Sequence, residues 1–189
     1  MTKELKVGEL IKSIREEAGL SLQAAAEATG LTSAVLSQYE NHMISPPLGA
    51  MFKLSKALKV PVARLLGETN KTDFVVVRSN ERIPTSRFAS KEGVNFGYSY
   101  ESLAPGKVNR KMEPFIVNLE IETLKNDKLS THEGEEFIMV LEGCMEVQLG
   151  EHTDRLNPGD TIYYDSTIPH KVSCHKGIPT KILAVLHSG

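Results

Sequence analysis

The chain has 189 residues, room for one or two domains at roughly 100–200 residues each, and its 40% hydrophobic and 24% charged content excludes a mainly disordered chain. The net charge of −2 excludes a generally basic nucleic-acid binder; residues 1–68 hold eight Lys and Arg against seven Glu, or +1, which leaves −3 for the remainder. The N-terminal MTKELKVGELIKSIREE has no apolar h-region, no apolar run approaches the roughly 20 residues of a membrane span, and Cys144 and Cys174 make no disulfide framework, so a cytoplasmic protein with no membrane partner is expected.

The first third reads as helices. Leu10, Ile11, Ile14 and Ala18 recur at the spacing of one helix face. Ser21 is an N-cap for a second helix, Leu22 to Thr29, which Gly30 ends. Thr32 caps a third helix that runs to about Glu40; Leu48 to Leu58 make a fourth, and Pro61 opens a fifth. The polar segment GETNKTD, Gly67 to Asp73, then reads as a linker.

Beyond it the period becomes two. Phe115, Val117, Leu119 and Ile121 face one way along a strand, and Phe137–Leu141, Met145–Leu149, Thr161–Tyr164 and Ile182–Leu186 are further short runs separated by LEG, LGEH, NPGD and HKGIP turns. Short, evenly spaced strands without helical patterning predict a β-sandwich or barrel. Exposed edges need covering, and Phe74–Arg78 and Phe96–Tyr100 are read as strands that pair between two chains.

The segment SLQAAAEATGLTSAVLSQYEN has helix-turn-helix anatomy: two short helices joined at Gly30, small Ala25 at the crossing, and Leu31, Val35 and Leu36 available for the core between them. With the trailing YEN and SPP it resembles the Cro and phage-repressor family of the xenobiotic-response-element class. That resemblance implies a homodimer on double-stranded DNA, with the third helix in the major groove. By position it places Ser33, Ala34, Ser37 and Gln38 at base edges, Gln38 suiting adenine and the Ala34 methyl a thymine methyl. Gln23 and Thr32 fall where the family contacts phosphates, and Asn41 closes the helix. Two departures stand out: residues 31–44 contain no Lys or Arg, and His42 occupies a position where glycine is common.

LSTHEGEEFIMVLEG and GDTIYYDSTIPHKVSC, in that order, resemble the two motifs of the cupin superfamily. The expected architecture is therefore a five-helix Cro/repressor-like domain over 1–68, a linker over 69–73, and a cupin (double-stranded β-helix, jelly-roll) barrel over 74–189. His132 and Glu136 lie four apart across a turn and His170 begins a later strand; two imidazoles and a carboxylate form a facial set for a divalent ion such as Fe, Zn, Mn or Ni. Ser130 stands where the family's first histidine is usual, and Cys174 where its asparagine is. Cys174 alternates onto the face of His170 and Val172, and is read either as a soft fourth ligand or as a small buried residue. His42, His152, His175 and His187 are read as solvated.

Upstream, Tyr98 and Tyr100 share a strand face, and Lys107, Arg110 and Lys111 cluster beyond the APG turn. Tyr98, Tyr100, Arg110, Lys111 and Cys174 are the expected contacts of a small, anionic effector; the alternative leaves the tyrosines packed at the barrel edge and the cations solvated. The expected function is a transcriptional regulator with an effector-binding barrel. The alternative is a non-haem iron enzyme, because the domain pair, the stretch Glu136 to Gly143 and YSYESL also resemble the hydroxypropylphosphonate epoxidase family. That family's catalytic lysine, at the end of the first helix, aligns with Gly19 here, which counts against its reaction.

Overall fold

The computed structural model describes residues 7–44, 46–68, 72–82, 84–86, 97–125 and 129–187. Five helices come first: α1 Val7–Glu17, α2 Leu22–Thr29, α3 Ser33–Glu40, α4 Leu48–Ala57 and α5 Val62–Leu65. Ser21 Oγ accepts from Ala24 N at 3.1 Å and Thr32 Oγ1 from Val35 N at 3.2 Å, so both helix starts are capped where the sequence places the caps. Gly30 ends α2 at φ 67°, a left-handed conformation glycine adopts without steric cost. Val7, Ile11, Ile14, Ala25, Leu36, Leu54 and Leu65 form the buried seam. Ala18, expected on the α1 face, follows the end of that helix and is exposed.

The second half is two antiparallel sheets. β1 Pro84–Ser86, β2 Tyr98–Ser102, β3 Met112–Leu119, β4 Glu135–Glu142, β7 Thr161–Asp165 and β9 Thr180–His187 make a six-stranded sheet in the order β1-β2-β3-β9-β4-β7. β5 Met145–Leu149, β6 His152–Leu156 and β8 His170–Cys174 make a three-stranded sheet in the order β6-β5-β8. Phe115, Val117, Leu119, Ile138, Val140, Met145, Val147, Ile182, Ala184 and Leu186 are buried, the alternating inward residues of the two sheets of a jelly-roll barrel.

Three expectations change. Ile121 is not on the β3 face: the chain leaves the strand at Glu120 and enters a short 3-10 helix, Ile121–Lys125, fastened by Thr123 N on Glu120 O, and Ile121 is exposed. Phe74–Arg78 is not a strand within this chain, and its Phe74 and Val76 are exposed; Phe96 lies outside the described residues, while Tyr98–Tyr100 pair with β3 of their own chain. His175 is buried, with Nδ1 2.9 Å from Glu146 Oε2, rather than solvated; His42 and His187 are half-buried.

The helical unit lies against the barrel. The side chain of Glu68, just past α5, is buried with its Oε2 3.0 Å from Arg110 Nη1, and accepts from Gly106 N at 3.0 Å. Arg110 Nη2 lies 2.6 Å from Glu113 Oε2, so one guanidinium holds two carboxylates. Thr72 N donates to Gly106 O and Val108 N to Thr72 O, so both described ends of the connecting segment are pinned to the barrel. Among the described residues no helix is long and apolar enough to cross a membrane.

Candidate functional site

Two strands and one loop build the candidate metal centre. Ser130 and His170 bond each other's backbones in both directions, at 2.7 and 2.9 Å, which lays the 130–134 loop beside the start of β8. Gly134, at φ 97°, turns the chain so that Glu136 enters β4 pointing back at His132. His132 Nε2 stands 2.7 Å and His170 Nε2 3.5 Å from Glu136 Oε1. All three residues are buried, and their ligand atoms lie within 4.8 Å of one another.

Each imidazole is oriented by the backbone. Nδ1 of His132 lies 3.1 Å from Glu133 O and Nδ1 of His170 lies 2.8 Å from Ile168 O. Nδ1 anchored on a carbonyl leaves Nε2, which here faces Glu136 Oε1, as the ligand atom once an ion displaces that contact, the usual arrangement behind a metal-bound histidine. Buried donors of this kind, two nitrogens and one carboxylate, fit a divalent transition ion with open positions.

The carboxylate is itself supported. Tyr164 lies opposite Glu136 in the β4–β7 register and donates its hydroxyl to Glu136 Oε2 at 2.7 Å. Burial alone would raise the Glu136 carboxyl; the bonds from His132 and His170, the His170 charge and the Tyr164 hydroxyl outweigh it and hold it at about 2. Burial likewise works to lower the His170 imidazole, but its bond to Glu136, that carboxylate's charge and the Ile168 carbonyl raise it above its ordinary value. Tyr164 escaped the sequence reading because its role depends on strand register, which no local spacing encodes.

A cavity of about 590 Å³, counting the space that opens to solvent, adjoins the triad. Tyr98, Tyr100, Val117, Leu119, Ile138 and Ile182 are among its walls, with Glu136 and His170 at one side. The structure therefore brings Tyr98 and Tyr100 to the candidate triad. Their hydroxyls are engaged, Tyr98 on Val172 O at 2.9 Å and Tyr100 on Pro46 O at 3.2 Å. Arg110, Lys111 and Cys174 do not line this cavity. Arg110 is held between Glu68 and Glu113, and Lys111 is exposed. Cys174 is buried at the far end of β8, its Sγ 3.2 Å from Glu120 O and 3.5 Å from Thr123 Oγ1, where the 3-10 helix covers it.

On the helical unit, α3 packs Leu36 and Tyr39 inward, and Glu40 receives a bidentate bond from Arg15 of α1 at 2.6 and 2.9 Å, buried on both sides. The opposite side shows Ala34 exposed and Ser33, Ser37 and Gln38 half-exposed. Asn41 donates to Ser37 O at 2.8 Å, Gln23 bonds Glu27 at 3.1 Å, and the Thr32 hydroxyl serves as the α3 cap. His42 adopts φ 59°, the left-handed conformation that explains why glycine suits this turn.

A helix-turn-helix family model matches residues 11–65 and a cupin domain model residues 118–186. The chain is 31% identical over 108 residues to the HTH-type transcriptional regulator SinR of Bacillus licheniformis, covering 97% of that protein and 57% of this chain. The chain belongs to the helix-turn-helix family of transcriptional regulators. The regulator is also 28% identical over 171 residues to the HTH-type transcriptional regulator PuuR of Escherichia coli (strain K12), which spans both halves, 89% of this chain and 88% of PuuR. Its fold matches that of an HTH_3 family transcriptional regulator from Vibrio cholerae, with TM-score 0.65 and 20% identity over 98% of this chain and 97% of that one. It also matches the fold of the Fe(II) form of HppE, with TM-score 0.50 and 23% identity over 98% and 100% of the two chains. The function is thus DNA-binding transcriptional regulation, with a cupin domain as the second unit.

Proposed function

We propose that this regulator binds a palindromic operator as a cytoplasmic homodimer, and that its barrel holds a divalent metal on His132, Glu136 and His170 as the seat of a small effector. The observation that carries the metal reading is the convergence of two carbonyl-oriented histidines on one hydrogen-bonded carboxylate, all buried beside a cavity. Bound there, the ion supplies a Lewis-acidic anchor for an anionic or other chelating head group. Tyr98 and Tyr100, with Val117, Leu119, Ile138 and Ile182, then shape the space for the rest of the molecule. In this proposal the base-reading positions are Ser33, Ala34, Ser37 and Gln38, while Gln23, Thr32 and Asn41 support phosphate contact and the helix end.

We read the barrel as a sensor rather than a catalyst, because Gly19 stands where the epoxidase family takes its lysine and the likeness to HppE is one of fold. Metal analysis and DNA selection on one purified sample test the proposal together. The expected result is near-stoichiometric metal, lost in His132→Ala, Glu136→Ala and His170→Ala but kept in Ser130→Ala, and enrichment of a two-fold symmetric sequence with half-sites about one helical turn apart. Metal-free protein from metal-rich medium refutes the sensor site; no enriched sequence at low salt refutes the operator.

A further inference from the structure

The metal triad sits under the DNA-binding unit of the same chain. Gly49, Phe52 and Lys56 are spaced three and four apart, so they share one face of α4. Gly49 lies so close that a Cβ there would be 2.5 Å from Ser130 Oγ and 2.7 Å from Cδ2 of His132. The Phe52 ring stacks on the His132 imidazole, centroids 5.8 Å apart and planes 14° from parallel. Lys56 pairs with Glu133, the residue whose carbonyl orients His132. Just before α4, Pro46 O receives the hydroxyl of Tyr100, a wall of the cavity.

His132 is thus held by both units. Glu136 faces its Nε2, the Phe52 ring stacks on its imidazole, and the Gly49 backbone runs beside its Cδ2–Nε2 edge. We propose, on the metal reading above, that Gly49 and Phe52 are positioning residues of the metal centre, so that metal affinity and the placement of the DNA-binding helices are set by one contact. Ligation that turns the His132 ring pushes on α4, and a displaced α4 releases the ring. The path onward is short, because α4 packs on α2, and α2 packs on the recognition helix α3. Linkage makes the effect reciprocal: whatever α4 placement metal favours must in turn favour metal. This route runs within one chain and needs no pairing of edge strands between two chains.

The test uses full-length protein and cobalt(II) alone, whose visible spectrum reports ligand geometry. Hydrogen exchange over residues 48–57 is followed with and without cobalt(II), and its affinity is measured in the wild type, Gly49→Ala, Phe52→Leu and Phe52→Tyr. Cobalt(II) is expected to slow exchange in 48–57. Gly49→Ala and Phe52→Leu are expected to lose about tenfold or more in affinity, the range for supporting residues around a metal, and to change the visible bands. Phe52→Tyr keeps the stacked ring and is expected to restore both. Phe52→Leu preserves bulk, so it reports on the stack even if Gly49→Ala disturbs folding. Exchange in 48–57 that ignores bound cobalt(II), or a Phe52→Leu protein that binds as tightly as wild type with the same bands, overturns the inference while leaving the metal site standing. A wild type that takes up no cobalt(II) instead overturns the metal reading, and this inference with it.

Discussion

Replacing Tyr164 by Phe removes one hydroxyl and leaves the β7 backbone and the ring in place. That hydroxyl donates to the buried Glu136 Oε2 at 2.7 Å. A hydrogen bond to a charged group contributes about 1.5–3 kcal/mol, and one pKa unit is about 1.4 kcal/mol, so the Glu136 carboxyl should rise from about 2 by about one to two units. The depressed carboxyl stabilises the fold fully above the ordinary carboxylate range, roughly pH 4.3, and this contribution is lost as pH falls toward the folded value. Tyr164→Phe should therefore shift acid unfolding to higher pH. It should also weaken metal binding about 10–100-fold, the cost of losing a supporting partner. Circular dichroism against pH and competition with a coloured chelator measure the two effects. If both the acid midpoint and the metal affinity match wild type, Tyr164 does not support Glu136 and the account of the carboxylate is wrong.

Metal uptake should also depend on pH through His170. Its imidazole is raised above the ordinary value and must lose its proton to ligate, so affinity should fall about tenfold per pH unit below that raised value; isothermal titration at several pH values would show a flat profile if the proton were not displaced. Arg110→Leu leaves the Glu68 and Glu113 carboxylates buried without their cation and should cost about 3–5 kcal/mol; urea denaturation showing a loss under 1 kcal/mol would refute the role of Arg110 between them.

What sequence could show and what it could not divide along chain separation. Ser21, Gly30 and Thr32 act on residues three or four away, so their caps and turn were legible as spacing. His132 and Glu136 were legible for the same reason, and His170 through its motif. Arg110 was not, because a cation meant for a ligand and one meant for Glu68, 42 positions earlier, look identical in a string. Alternation put Val172 and Cys174 on one face; Val172 lines the cavity, whereas Cys174 is the small buried residue of its second reading, its thiol taken up by the 3-10 helix over the end of β8. Tyr164, Gly49 and Phe52 reach the candidate triad only through register and interdomain packing, which have no local signature.

The seating of α4 on the His132 loop bears on how such regulators can be recombined. A chimaera cut in the segment after Glu68 would join a foreign helical unit to this barrel. It would exchange Gly49 and Phe52 along with the recognition helix, and so remake one wall of the barrel's own site. If the contact of α4 with His132 sets metal affinity as proposed, the seam for recombination runs through the helical unit, between α3 and α4. With the base-reading positions proposed above, swapping operator preference while keeping the barrel's chemistry would mean grafting residues 32–41 alone, onto a framework whose α4 stays native.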